Sequence, residues 1–404
     1  MTPDPSLRIA VVTETYPPEI NGVSTTIAKV VEGLRARGHE MQLVRPRRER
    51  GDVGQPAERY SELPLRGLPI PRYPQLRMGL PALGRLLDQW RQQRPDVVHI
   101  ATEGPLGWSA LRAALQLGLP VSTDFRTNFH AYSGHYGIGW LRRPIVGYLR
   151  HFHNRAGCTM VPTEGLRREL EANGFERTVV VARGVDTKLY DPARRSEALR
   201  QAWGAGPGDR VLLCVGRLAP EKNLDTLLDA YAAMRAATPR LRLVLVGDGP
   251  LRQALRARCP DAVFAGLRSG EDLAAHYASG DLFLFPSLTE TFGNVTPEAM
   301  ASGLPVLAYD YAAAGQLIRS GSNGRLAPCG NRAAFLRQAL ALAADAPAAR
   351  ALGRAARETA LGLDWGRIVR QIEAVMRSVM SAARADRCVE SARWTSTRKS
   401  TPAA

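Results

Sequence analysis

The chain has 404 residues and a formal net charge of +16, with 45% hydrophobic and 23% charged residues. This composition is ordinary for a globular protein, and the length indicates two domains. No apolar run approaches the roughly 18 residues of a membrane-spanning helix, and the N-terminus lacks the basic region of a secretory signal. The five cysteines are scattered and never spaced C-x-x-C, which indicates thiols in a reducing compartment. We therefore expect a cytoplasmic protein.

The positive charge leaves three kinds of partner open: nucleic acid, anionic lipid or a phosphorylated small molecule. No helix-turn-helix, zinc-finger or RNA-binding motif occurs in the sequence. We therefore expect no nucleic-acid partner.

The first half of the chain alternates short apolar runs with longer amphipathic segments. The apolar runs predict strands at residues 8–12, 40–46, 96–100, 120–125 and 158–162, and the amphipathic segments predict helices at 24–37, 81–93 and 106–117. The Pro-, Arg- and Gly-rich stretch 47–80 is expected to be a loop with one weak strand. Strands that alternate with helices predict a parallel sheet covered on both faces.

The same pattern then starts again in the second half. It predicts strands at residues 210–216, 241–247, 262–266, 282–286 and 305–310. The predicted divisions are an N-terminal domain at 1–185, a C-terminal domain at 186–363, a helix at 364–382 that packs back toward the N-terminal domain, and a disordered basic tail at 383–404. The fold class is therefore α/β, with two Rossmann-like, doubly wound parallel-sheet domains. Because such sheets bind ligands beyond the carboxyl ends of their strands, we expect the chemistry in the cleft between the domains.

Two cations follow the predicted strand RVLLCVG in the loop GRLAPEKN. Arg217 and Lys222 could be ordinary solvated charges, but a pair in one loop at a strand end favours an anionic ligand. The following strand ends in the turn GDGP at 247–250, which lets backbones approach closely. The dinucleotide-binding pattern G-x-G-x-x-G is missing, so the sequence does not indicate an oxidoreductase.

Two acids flank a helix start in the segment GDLFLFPSLTETFGNVTPEAMASGLPVLAYD. Glu290 lies in the loop before the helix, and Glu298 lies in its first turn, where it could simply stabilise the helix dipole. Phe292, Gly293 and Asn294 come between them. A helix N-terminus suits a phosphate, whereas carboxylates next to a phosphate are better placed to bind hydroxyl groups. A sugar and a ribose joined by one diphosphate would satisfy this set of residues.

These motifs resemble the family-4 retaining glycosyltransferases of the GT-B fold. The resemblance includes GRLAPEKN, LVGDGPLR, the paired glutamates of TETFGNVTPEAMASG and the preceding DLFLFPS, and it continues in the N-terminal half with ETYPPEINGVSTTIAKVVEGLRARGHE, DVVHI and ARGVDTKLYDP. It spans roughly residues 8–380. Within the family, the chain resembles bacterial GDP-mannose-dependent α-mannosyltransferases and sulfolipid-synthase-like enzymes that make glycolipids.

The resemblance implies a role for each of the residues singled out in the second half. Arg217 and Lys222 would bind the donor diphosphate and stabilise the leaving nucleotide. Glu290 would hold hydroxyls of the transferred sugar, and Glu298 would hold those of the ribose. The backbone of residues 292–294 would contact sugar and phosphate.

The resemblance also implies two further donor contacts and an expectation about metals. Gly22 would let the N-terminal domain approach the donor phosphates, and Arg268 would lie in the base-binding loop. Such enzymes usually work without a divalent metal, and the chain has no D-x-D pair. We therefore expect no metal and no cofactor apart from the GDP- or UDP-linked sugar substrate. Two protein cations would then stabilise the developing charge.

The sequence departs from the family pattern at one position. Where many members carry a catalytic-site histidine, the segment STDFRTNFHAYSGHYG places Arg126, and His130 follows four residues later. Either His130 makes the sugar contact, which we favour, or Arg126 does so and His130 contacts the acceptor. Tyr132 and His135 are further candidates for the acceptor side.

The basic, aromatic segment 136–157 leaves two interpretations open. It could lie on an anionic membrane surface, or it could be a domain helix with its apolar face in the core. With the resemblance to glycolipid enzymes, the leading hypothesis is transfer of mannose or glucose to a membrane lipid by an enzyme peripheral to the inner face of the cytoplasmic membrane. The alternatives are a soluble or polysaccharide acceptor, a nucleotide-sugar epimerase, or an inactive membrane-binding relative.

Overall fold

The computed structural model describes residues 5–19, 21–49, 51–70, 73–126 and 142–398, with the backbone alone at 70, 73–76, 142 and 386–398. The first sheet contains β1 (Arg8–Val12), β2 (Glu40–Pro46), β3 (Tyr60–Leu65), β6 (Val97–Ile100), β7 (Val121–Asp124), β8 (Cys158–Val161) and β9 (Thr178–Val180). The connections in this half include α1 (Gly22–Ala36), α2 (Leu83–Gln92), α3 (Pro105–Gln116), α4 (Arg142–His153) and α5 (Glu164–Ala172).

The second sheet contains β10 (Arg210–Val215), β11 (Leu241–Val246), β12 (Val263–Gly266), β13 (Leu282–Phe285), β14 (Val306–Tyr309) and β15 (Arg325–Ala327). Its helices are α6 (Glu197–Ala202), α7 (Leu224–Ala237), α8 (Arg252–Arg258), α9 (Gly270–Ala278), α10 (Val295–Ala301), α11 (Ala312–Leu317), α12 (Arg332–Ala344) and α13 (Ala346–Leu361). The final helix is α14 (Trp365–Arg398).

Both sheets are parallel and doubly wound. Their strand orders are β3-β2-β1-β6-β7-β8-β9 and β12-β11-β10-β13-β14-β15. In each sheet the order reverses beside the first strand, between β1 and β6 and between β10 and β13. The carboxyl ends of strands at such a reversal form a ligand-binding crevice.

The side chains of β1 pack alternately on the two faces of the first sheet, and helices cover both faces. Ile9 and Val11 belong to a core cluster with α1 and α14, whereas Ala10 and Val12 belong to another with α2 and α3. Successive side chains of a strand point to opposite faces, so this short apolar run supplies both cores. The second domain has its own core cluster, made of residues from Val185 onward.

The predicted loop at 47–80 is wrong, because this stretch contains three strands. β3 adds a parallel edge strand, and β4 (Gly67–Ile70) pairs antiparallel with β5 (Tyr73–Gly79). The prolines that argued against strands, Pro64 and Pro69, lie in an edge strand and a two-stranded ribbon, where a missing N–H is tolerated. The short edge strands β9 and β15 were also not predicted from the sequence.

The chain crosses between the domains twice at one place. The predicted boundary at residue 185 falls between the two sheets, and the Val185 N–H donates to the Leu363 carbonyl at 3.0 Å. A Cβ on Gly184 would lie 2.7 Å from Cδ2 of Trp365. The glycine therefore lets the two crossing segments pack against each other.

The final helix returns to the first domain and is longer than predicted. Ile368, Val369, Ile372 and Met376 pack into the same cluster as Ile9 and α1. The helix continues to Arg398, so the expected disordered tail from residue 383 is wrong up to that point. Residues 383–398 lack apolar periodicity, but they contain no glycine or proline to end the helix. Among the described residues, no helix has both the length and the apolarity needed to cross a membrane.

Because α1 packs closely on α14, adding a single methyl group at Gly33 is expected to lower the stability of the protein. A Cβ on Gly33 would lie 2.5 Å from Cγ2 of Val369. We expect Gly33→Ala to destabilise the protein by about 1–3 kcal/mol, because overpacking outweighs the better helix propensity of alanine. Thermal melting should show the loss, and Val369→Ala should reverse it in the double variant.

Gly147 is the matched control, because it lies inside α4 with nothing within 4 Å of an added Cβ. Gly147→Ala should raise stability by up to about 1 kcal/mol. If Gly33→Ala behaved in the same way, the close packing of α14 on α1 would be wrong.

Candidate functional site

The loops after β10 and β13 meet through a half-buried ion pair. Nζ of Lys222 contacts Oε1 of Glu290, and the two side chains are 13% and 14% exposed. The Ser287 hydroxyl donates to the same carboxylate oxygen at 2.7 Å, and Lys222 lies over the Phe285 ring, 5.3 Å from its centroid. A small pocket beside this pair, at the ends of β13 and β14, is lined by Ser287, Glu290, Phe292, Thr296 and Tyr311 among others. The predicted phosphate cation and sugar acid are therefore in direct contact.

The loop that carries Arg217 is fixed by neighbouring backbone. Glu221 is fully buried and pairs with Arg217, and its carbonyl accepts from the Leu288 N–H at 3.1 Å. Cβ atoms on Gly247 and Gly249 would lie only 2.0 and 2.5 Å from the carbonyl oxygens of Gly216 and Leu218. The glycines of the GDGP turn thus allow close approach to the cation-bearing loop.

Glu298 projects from the first turn of α10 toward two tyrosines. The Tyr277 hydroxyl donates to its Oε2 at 2.9 Å, and Tyr190 donates as well. Burial raises the pKa of Glu298 to about 7, although the two tyrosine hydrogen bonds act in the opposite direction. This carboxyl group can therefore change its charge near neutral pH.

Residues predicted in different domains meet at the cleft. A Cβ on Gly22 would lie 3.2 Å from Nδ2 of Asn294, so the start of α1 faces the segment before α10. Gly293 has φ = +90°, a conformation that favours glycine, and Phe292 is 2% exposed. Arg268 is separate from these contacts in the described structure, since it bonds to Asp272 at 3.0 Å and to the Ala265 carbonyl at 2.9 Å.

The acceptor-side residues are only partly described. Arg126 is buried and pairs with Asp124, whose Oδ2 is 3.8 Å from Nε2 of His99. Burial alone would raise the pKa of Asp124, but Arg126 and His99 hold it at about 2. The predicted residues His130, Tyr132 and His135 lie outside the described residues.

Sequence reasoning missed Arg183, a buried arginine in the same wall of the cleft. Its guanidinium carbon lies 5.9 Å from the centroid of the Phe292 ring, and its Nη1 donates to Oγ1 of Thr26 at 3.5 Å. Burial, with the positive charge of Arg126, lowers its pKa to about 9. The residue begins the RGVD part of a motif that the resemblance included, which was the available signal.

The basic segment 136–157, for which a membrane-surface position was one interpretation, is packed as a domain helix where it is described. In α4, Leu149 and Phe152 are buried, and the Tyr148 hydroxyl donates to the Glu103 carbonyl. Residues 136–141 of that segment are outside the described part of the chain. Across the residues that the structure describes, no group of three or more His, Cys, Asp or Glu could hold a metal ion.

Family models match both halves of the chain. The model described as Glycosyltransferase Family 4 matches residues 20–189, and that described as Glycosyl transferases group 1 matches residues 209–345. A GDP-mannose-dependent alpha-mannosyltransferase of Mycobacterium tuberculosis is 38% identical over 89% of this chain and 93% of its own length. An alpha-monoglucosyldiacylglycerol synthase of Streptococcus pneumoniae is 27% identical over 75% of this chain and 71% of its own.

A solved structure agrees with the fold. Sucrose-phosphate synthase from Thermosynechococcus elongatus superposes with a TM-score of 0.75 at 20% identity, covering 93% of this chain and all of that one. The two facing Rossmann-like domains are thus those of the GT-B fold. The chain belongs to the family-4 glycosyltransferases and is a hexosyltransferase that uses a nucleotide-sugar donor.

Proposed function

We propose that this enzyme transfers mannose from GDP-mannose to a membrane lipid, with glucose from UDP-glucose as the second candidate. The observation that carries the proposal is the Lys222–Glu290 pair at the ends of β10 and β13, which sets a cation beside a carboxylate in the nucleotide-sugar cleft. Mannose is placed first because the 38% identical relative is a GDP-mannose-dependent enzyme. A lipid acceptor is supported by the diacylglycerol in the name of the S. pneumoniae relative.

The cations act on the leaving group. When the bond from the sugar to the diphosphate breaks, negative charge accumulates on the terminal phosphate. Arg217 and Lys222 stabilise that charge, and their acid partners Glu221 and Glu290 hold them in place before the reaction. Preorganised charges of this kind take over the electrostatic role that a divalent metal has in other transferases. We therefore propose a reaction without metal or cofactor.

The two glutamates hold the carbohydrate groups. Glu290 accepts hydrogen bonds from hydroxyls of the transferred sugar, and Glu298 accepts them from the ribose. The backbone of Phe292, Gly293 and Asn294 lies between them and contacts sugar and phosphate. Gly22 brings the first domain next to Asn294, so that donor and acceptor face each other across the cleft. Arg268 is assigned to the base-binding loop.

A peripheral position on the inner face of the cytoplasmic membrane fits a lipid acceptor. The net charge of +16 would attract the enzyme to anionic lipid. Leu149 and Phe152 of α4 are buried in the domain, so we assign this attraction to surface arginines.

A donor screen tests the function directly. Wild-type enzyme is incubated with labelled GDP-mannose or UDP-glucose and a membrane lipid extract, and lipid-soluble products are identified by mass spectrometry. We expect a hexosylated lipid from GDP-mannose. A changed sugar nucleotide without any acceptor would point to an epimerase, and a labelled product only in the aqueous phase would contradict the lipid acceptor.

Removing the charge of Lys222 should abolish most transfer. We expect Lys222→Ala and Lys222→Gln to lower kcat by about 10²–10³-fold, the usual effect of losing one preorganised charge-stabilising group. Gln keeps a donor for Glu290, so it separates loss of charge from loss of packing. Steady-state kinetics are compared with Lys188→Ala, which removes an exposed lysine of the same domain. Near-wild-type turnover in both Lys222 variants would refute the role.

The pKa of Glu298 predicts a pH dependence of donor binding. Its ionised form accepts ribose hydroxyls, so affinity for the sugar nucleotide should fall as pH drops through about 7. Calorimetry with the intact sugar nucleotide from pH 5.5 to 8 should show this fall, and Glu298→Gln should flatten it.

The stability of the Glu298→Gln variant provides the control. The folded-state pKa is raised, so ionisation of Glu298 costs stability as pH rises from its ordinary value of 4.5 to about 7. At pH 8 the variant should melt no lower than wild type. An unchanged pH profile of donor affinity in this folded variant would remove Glu298 from the donor site.

A further inference from the structure

Two buried arginines in the first domain carry N–H groups without partners. Arg126 and Arg183 are 4% and 7% exposed. Nε of Arg126 and Nη2 of Arg183 are buried, and neither has a hydrogen-bond partner among the described residues. Buried N–H groups of charged side chains normally donate hydrogen bonds, so two arginines with unpaired N–H groups at one place indicate a ligand.

The neighbouring acids that the structure describes do not accept hydrogen bonds from these two N–H groups. Asp124 pairs directly with Arg126, and its Oδ2 is 3.8 Å from Nε2 of His99. Glu103 also acts on Arg126, but its Oε1 is 3.3 Å from Nε2 of His153. Within the described part of the chain, the one hydrogen bond that Arg183 donates is the long one to the Thr26 hydroxyl at 3.5 Å. Among the described residues, the pair therefore has one direct acid contact, between Asp124 and Arg126.

The pair lies where the two domains meet. Arg183 lies 5.9 Å from the Phe292 ring centroid, in the loop that also carries Glu290. Thr26, its other neighbour, is one helical turn beyond Gly22, and its hydroxyl donates to the Gly22 carbonyl at 2.6 Å. The domains have separate cores, so relative movement of the domains is expected and would uncover Arg183 when Phe292 moves away.

We propose that Arg126 and Arg183 form a second anion-binding site, which holds an acidic group of the acceptor, a carboxylate or a phosphate. The inference rests on the proposed function, because it needs an acceptor. Guanidinium groups bind both anions through paired N–H donors. The donor diphosphate is assigned to Arg217 and Lys222 on the second domain, which leaves this pair, on the wall of the first domain, for the molecule that receives the sugar.

The two arginines should respond differently to substitution. Arg183→Gln removes a cation that has no direct acid partner, so the melting temperature should stay the same or rise. Arg126→Gln leaves Asp124 buried without its partner, so the melting temperature should fall. If the melting temperature fell as far in Arg183→Gln as in Arg126→Gln, Arg183 would have a structural role and the inference would be overturned.

The charge of the product tests the inference with the whole enzyme. Wild type is incubated with labelled GDP-mannose or UDP-glucose and membrane lipid extract, and labelled lipids are passed over an anion-exchange resin at neutral pH. We expect the labelled product to be retained, and mass spectrometry then separates a phosphate from a carboxylate. A neutral product overturns the inference but leaves the proposed function intact. No labelled lipid at all overturns both.

Matched variants then assign the charge recognition to Arg183. Arg183→Gln should lower kcat/KM for the acidic lipid at least tenfold and leave nucleotide affinity by calorimetry unchanged, and Arg183→Lys should restore part of the loss. Arg112→Gln, which removes an exposed arginine from α3, should match wild type. Loss of nucleotide affinity in Arg183→Gln would assign the pair to the donor instead. If Arg183→Gln transferred the sugar to the acidic lipid as fast as Arg112→Gln does, the inference would also be overturned.

Discussion

The ion pair between Lys222 and Glu290 is the contact on which the rest of the site depends. It joins the loops after β10 and β13, which are neighbours only because the strand order of the second sheet reverses between them. The two side chains are mostly shielded from solvent, so removing one partner leaves the other charge poorly compensated. In the proposed function, a phosphate that approaches Lys222 competes with Glu290, and sugar hydroxyls replace the lysine at the carboxylate. Phosphate and sugar binding would then be coupled through this one contact.

The surrounding structure keeps these charges in position. Glycines of the GDGP turn approach the backbone of the Arg217 loop more closely than any side chain would allow. Buried Glu221 links that loop to residue 288. The first domain contributes from the other side of the cleft, where Gly22 faces Asn294 and Arg183 lies against Phe292. The separate cores and the crossing at Gly184 and Trp365 allow the two walls to move relative to each other.

Sequence patterns predicted the sheets well where strands are apolar and central. The predicted strands at 8–12 and 40–46 match β1 and β2, and the other predicted strands differ by one residue at one or both ends. The hairpin of β4 and β5 was missed because prolines normally exclude central strands but are tolerated at edges. The length of α14 was missed because a helix can continue wherever no residue breaks it, even without apolar periodicity.

The candidate site could be proposed from the sequence where one short segment carries several chemical groups. Lys222, Glu290 and Asn294 could be named from their loops, and Glu298 from its place in a helix start. The contact between Lys222 and Glu290 could not be predicted, because it depends on the meeting of distant loops. Arg183 belongs to the RGVD part of a motif included in the resemblance, but its role could not be predicted, because that role depends on its burial beside Arg126 and its position against Phe292.

A crystal structure of the enzyme soaked with GDP or UDP is the most direct test of the central claim. The account predicts the diphosphate within hydrogen-bond distance of Arg217 and Lys222, with the ribose at Glu298. A nucleotide bound away from the cleft, or phosphates held by groups other than these two cations, would contradict it.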